Sequence, residues 1–184
     1  MLTALIIVFA AVPLASFSWG LRGHFRASEG MPTAMRALTA ASSLSALLFL
    51  VLVVTGDVDG VTALVFVILA CASAALFWWA VRTTKRLPPC VAHSQSDPDL
   101  LYETGPYAFV RHPFYLAYCL FWLGTAVAAG GPQWLAAALL IGWYFVIARA
   151  EEERFFKSLM AASYIRYRRR TGMIVPRVRG MLRW

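Results

Sequence analysis

The 184-residue chain is 60% hydrophobic and 14% charged, with a mean hydropathy of +0.66. A soluble domain carries about a quarter charged and about half apolar residues, so this excess must face something other than water. The net charge of +8 sits in loops beside long apolar runs, which points to lipid headgroups and excludes nucleic acid as the main partner. Cys71, Cys90 and Cys119 show no CxxC spacing and no histidine cluster, which leaves a disulfide framework and a metal site unsupported and reads as reduced thiols.

Spanning a hydrocarbon core about 30 Å thick takes about 20 apolar residues in a helix. Met1–Trp19, Ala37–Val54 and Val61–Val81 meet that length, with Pro13 a candidate kink in the first. The first run has no basic residue ahead of it, and its positive flank, Arg22 and Arg26, follows it. That order describes an uncleaved anchor with its N-terminus outside. A polar stretch, Arg82–Arg111, comes next. Two shorter apolar arms, Phe114–Ala129 and Trp134–Ala148, then flank Gly130-Gly131-Pro132. Gly-Gly-Pro supplies a tight turn, so the two arms form a helical hairpin. The expected fold is all-α and polytopic, with about five membrane helices. Residues 1–98 hold the first three spans and a loop, and residues 99–184 hold the chemistry.

All 17 lysines and arginines fall on one side of this five-pass arrangement. Three lie in the Gly20–Arg36 loop, four in Arg82–Arg111, and ten from Arg149 onward, the last including Arg179 and Arg183. The positive-inside rule makes that side cytosolic, with the N-terminus outside and the C-terminus inside. The compact size and the lack of a targeting segment make a bacterial inner membrane the expected location. The opposite loops are too short to build a site, so a pocket for any cofactor is expected on the cytosolic face.

Two stretches carry candidate chemistry. One is Gly105-Pro106-Tyr107-Ala108-Phe109-Val110-Arg111-His112-Pro113-Phe114-Tyr115; the other is Glu151-Glu152-Glu153 with Tyr164, Tyr167 and Pro176. The arms between them are nearly equal, so both ends return to one membrane depth and Arg111-His112 should neighbour Glu151–Glu153. Either stretch alone reads as an interfacial anchor or a helix cap. A cation, an imidazole, carboxylates and aromatic rings converging at a lipid interface are costly unless something binds there.

Together these residues resemble the isoprenylcysteine carboxyl methyltransferase family and the related phospholipid methyltransferases, over roughly Asp99–Pro176. The resemblance implies transfer of a methyl group from S-adenosylmethionine to a lipophilic or prenylated acceptor. It places Leu100, Leu101, Tyr107, His112, Pro113, Phe114, Tyr115 and Glu152 around the cofactor, with Arg111, Arg149 and Glu153 as candidate catalytic residues. The chemistry is coherent: Arg or His suits the cofactor carboxylate, Glu suits its ammonium or ribose diol, and tyrosine faces suit its sulfonium. A carboxylate acceptor needs no general base, whereas an amine acceptor does. A phospholipid N-methyltransferase, an NADPH-dependent membrane reductase of the sterol type and a non-catalytic membrane homologue remain the alternatives. Pro113 and Phe114 after the histidine speak against the reductase, and no G-x-G-x-x-G is present.

Overall fold

The structure, a computed structural model, describes residues 1–26, 30–93 and 100–177. The expected division at 98/99, Asp99 at the start of the matching segment, and Arg179 and Arg183 lie outside the described residues. Six α-helices follow in chain order: α1 Leu2–Trp19, α2 Thr33–Thr55, α3 Gly60–Thr84, α4 Pro113–Ala129, α5 Gln133–Lys157 and α6 Ala161–Arg170. A π-helical turn, Gly20–His24, extends α1, and a 3-10 turn, Gly105–Ala108, precedes α4. The described residues contain isolated bridges and no strand.

Four helices are long and apolar enough to cross a membrane: α1 with its π turn, α2, α3 and α5. The fifth, α4, is apolar and 17 residues long. The protein is therefore an all-α polytopic membrane protein. Large apolar side chains such as Leu44, Leu47, Val61, Leu64, Leu135 and Val146 lie on its outer surface, where lipid rather than water is their solvent.

The spans α1 to α4 match the expected ones with small shifts, but α5 does not stop at Ala148. It continues to Lys157, because Glu-Glu-Glu-Arg-Phe-Phe-Lys are tolerated in a helix and Arg154 and Lys157 favour its C-terminal end. Asp59 caps α3, its carboxylate accepting from the backbone N–H of Val61 at 2.8 Å and of Thr62 at 3.1 Å. The α4–α5 turn uses glycine for its backbone, with φ of 63° at Gly130 and 47° at Gly131, a region that side chains disfavour.

Helix α4 is the central element, packed against α3 on one side and α5 on the other. Its small residues Ala117, Gly124, Ala126 and Ala128 are buried and let neighbouring helices approach closely. Polar side chains bond between helices inside the bundle. Ser73 Oγ donates to the Ala117 carbonyl at 2.7 Å. Gln133 Nε2 donates to Ser45 Oγ at 3.1 Å and Thr125 Oγ1 at 3.0 Å, joining α5 to α2 and α4. Such bonds replace the water that hydrocarbon lacks.

Candidate active site

The Arg-His-Pro segment is held by the chain that follows α6. Residues Thr171–Pro176 form a strap beside it: Arg111 N donates to the Gly172 carbonyl at 2.9 Å and His112 N to the Met173 carbonyl at 3.0 Å. Gly172 N returns a bond to the Phe109 carbonyl at 3.2 Å. A side chain at Gly172 would collide with the Val175 carbonyl, so the strap requires glycine there. Pro113 starts α4, where its missing N–H leaves no helix bond unmade. From α6, buried Tyr167 donates its hydroxyl to the Tyr107 carbonyl at 2.7 Å. The trailing tyrosine of the second stretch thus fixes the first stretch.

The expected meeting of the two stretches is present. Arg111 Nε donates to Glu152 Oε1 at 2.7 Å, with both side chains buried, and Arg111 Nη1 donates to the Thr171 carbonyl at 2.6 Å. His112 lies between two carboxylates, Nδ1 at 3.4 Å from Glu151 Oε2 and Nε2 at 3.5 Å from Glu152 Oε1. The second contact is a charge contact without hydrogen-bond geometry. Tyr115 donates its hydroxyl to Glu151 Oε1 at 2.7 Å and stacks on the His112 ring. Burial disfavours the imidazolium, but Glu151 and Glu152 outweigh it and raise the His112 pKa above its ordinary 6.5.

Next to this cluster is a cavity of about 370 Å³. Seven of the eight residues assigned to the cofactor line it: Leu100, Leu101, Tyr107, His112, Pro113, Phe114 and Tyr115. The eighth, Glu152, stands behind His112, engaged with Arg111. Arg111 reaches the cavity, yet its Nε and Nη1 are committed to Glu152 and the strap. Arg149 and Glu153 are exposed and border a different hollow across α5. In their place α5 presents Glu151, Arg154 and Phe155 to the cavity. From the polar mouth the cavity runs between α1 with its π turn, at Leu14, Phe17 and Leu21, and α2, at Leu38, Thr39 and Ser42.

Glu151 belongs to the Glu151–Glu153 stretch that the sequence singles out, but its place in the cavity, and Arg154 altogether, depend on a helix that runs past the apolar arm ending at Ala148. With the helix continued, the phase of buried Tyr144, Ile147 and Ala148 carries 151, 152 and 155 inward at steps of three and four, and turns 149 and 153 outward. Of the strap, only Pro176 stands in the candidate stretch; Gly172, a glycine just past a helical run, was the available signal for the rest.

The cavity's chemistry fits S-adenosylmethionine. Arg154 and Glu151 supply a cation and an anion about 4.0 Å apart, matching a zwitterionic amino-acid end. Tyr107, Tyr115 and Phe155 add aromatic rings to the cavity wall. Tyr164 lines the cavity with its ring, and its buried hydroxyl is turned to the Arg111–Glu152 pair.

Fold and site together define a polytopic membrane protein with a polar pocket at one end of an apolar cleft. The chain belongs to the phospholipid methyltransferase family, whose model matches residues 62–163, and the resemblance to the isoprenylcysteine methyltransferases holds. Protein-S-isoprenylcysteine O-methyltransferase of Xenopus laevis is 29% identical over 92 residues, 50% of this chain and 32% of that protein. The Saccharomyces cerevisiae protein of the same name is 31% identical over 87 residues, 47% of this chain and 36% of its own. Methanethiol S-methyltransferase 2 of Bradyrhizobium diazoefficiens is 41% identical over 73 residues, 39% of this chain and 27% of that protein. The match thus spans about a third of the length of these curated relatives.

Proposed function

We propose that the protein is an S-adenosylmethionine-dependent membrane methyltransferase acting on a lipophilic or prenylated acceptor at the cytosolic face of a bacterial inner membrane. The observation that carries the reading is the single cavity joining Glu151, His112 and Arg154 to an apolar cleft between α1 and α2. One end suits a charged cofactor and the other an apolar tail. The bound cofactor supplies an electrophilic methyl group for in-line displacement. Arg154 pairs with its carboxylate, Glu151 accepts from its ammonium or ribose hydroxyls, and Tyr107 and Tyr115 offer ring faces to its positive sulfur. Glu152 and Arg111 hold His112 and the strap in place. The helices exclude water from the acceptor, and positioning supplies most of the rate. Arg149 and Glu153 border the hollow on the far side of α5 rather than this cavity.

A carboxylate acceptor is the first reading, because it needs no base. A thiol acceptor is the second, favoured by the 41% identity over 73 residues with the methanethiol enzyme; it would react as the thiolate, its proton released to solvent beforehand. The reading is tested by isothermal titration of detergent-purified protein with S-adenosylhomocysteine. Glu151→Gln and His112→Ala should each weaken binding by about tenfold, the worth of a charged hydrogen bond. Unchanged affinity in two variants that keep the wild-type melting temperature would place the cofactor elsewhere.

A further inference from the structure

Across α5 from the cavity lies a second hollow of about 440 Å³, bordered by Arg149, Glu153 and Phe156 of α5, Arg168 of α6, and Arg177 beyond the strap. The reaction proposed above leaves this hollow without a use. Three elements separated in sequence each bring a guanidinium to it. Its carboxylates do not balance them: Arg111, Arg149, Arg168 and Arg177 border it against Glu152 and Glu153, and Glu152 is already shared by Arg111 at 2.7 Å and Arg168 at 3.8 Å. Arg168 is 3.8 Å from Glu152 and lies over the Phe156 ring, 5.2 Å from its centre. Arg177 Nη1 donates to the Arg169 carbonyl at 2.8 Å, which fixes its position at the end of α6. Orienting three guanidiniums around one hollow suits a phosphate group, whose oxygens accept paired N–H bonds.

The surface of α5 running away from the hollow identifies the source of that phosphate. Leu135, Leu139 and Val146 are 66%, 65% and 67% exposed, and they share a helix face with Gly142 and Arg149 at steps of three and four. At Gly142 a side chain would meet no neighbour within 4 Å, so the face is notched there. An apolar, notched face leads from the span to the guanidiniums, and a soluble anion has no use for it.

We propose that the hollow binds the phosphate of an anionic phospholipid whose acyl chain lies along the Leu135–Val146 face of α5. The lipid headgroup then ties α5, α6 and the strap together behind the Arg111–Glu152 pair, opposite the cavity.

The test is native mass spectrometry of the full chain in detergent, titrated with equimolar phosphatidylglycerol and phosphatidylcholine. Phosphatidylglycerol should be retained preferentially, with the preference falling roughly fivefold for each of Arg149→Gln, Arg168→Gln and Arg177→Gln. Gly142→Leu fills the notch without changing charge and should reduce phosphatidylglycerol retention. Melting in phosphatidylcholine alone checks that each variant is folded, and the three arginine variants give independent readings should one of them fail. Equal retention of the two lipids, or a preference surviving in folded arginine variants, overturns the proposal. Complete displacement of the lipid by millimolar inorganic phosphate would assign the hollow to a soluble anion and overturn the lipid as occupant. None of these outcomes depends on cofactor binding in the cavity.

Discussion

At His112 two opposing effects meet. Burial favours the neutral ring, the two carboxylates favour the imidazolium, and the carboxylates prevail. A raised folded-state pKa has a definite sign. Its contribution to stability is full below the unfolded value of about 6.5 and is lost as pH rises through the folded value. The melting temperature in detergent should therefore fall between about pH 6.5 and the higher folded value, and His112→Gln should flatten that slope. An identical slope in the variant would mean that the imidazole is neutral between its carboxylates. At this scale residue types were legible and pairings were not. Arg111 and Glu152 were expected at one site, but nothing in the sequence says that they bond to each other, leaving Glu151 to face the cavity.

Among the elements, the strap is the least legible and among the most constrained. It orders Arg111 and His112 through backbone bonds that any residue types could make, so no side-chain pattern announces it. Its one sequence requirement is Gly172, where an added Cβ meets the Val175 backbone and no side-chain rotation relieves the clash. Gly172→Ala should destabilise the protein by about 3 kcal/mol or more, the cost expected when backbone has to move. It should also weaken S-adenosylhomocysteine binding, because His112 moves with the strap. A melting temperature within a degree or two of wild type would show that the strap bends freely. The α4–α5 hairpin was legible by contrast: two apolar arms around Gly-Gly-Pro admit few other geometries. Its second apolar arm, Trp134–Ala148, is shorter than α5, because an apolar run measures how much of a helix is in lipid, not where the helix stops.

For the whole molecule, the orientation rests on the one-sided distribution of 17 basic residues. A cysteine introduced in the Thr55–Gly60 turn should label from outside intact cells, and one introduced beside Arg170 should label only after permeabilisation. The reverse pattern would invert the protein and put its cavity on the outer face. The sequence by itself determined the spans, the hairpin, the charge asymmetry and the meeting of the two motif stretches. Each follows from local hydropathy, turn chemistry or the need of a hairpin's ends to return to one depth. Only the tertiary structure decided which face of α5 carries Glu151 and Arg154 and which carries Arg149 and Glu153. It alone decided that Arg111 is tied to Glu152 and the strap, and that the cavity opens between α1 and α2. The reason is physical: helical phase assigns faces only once a helix's true end is known, and a gap between two helices is a property of how their neighbours pack.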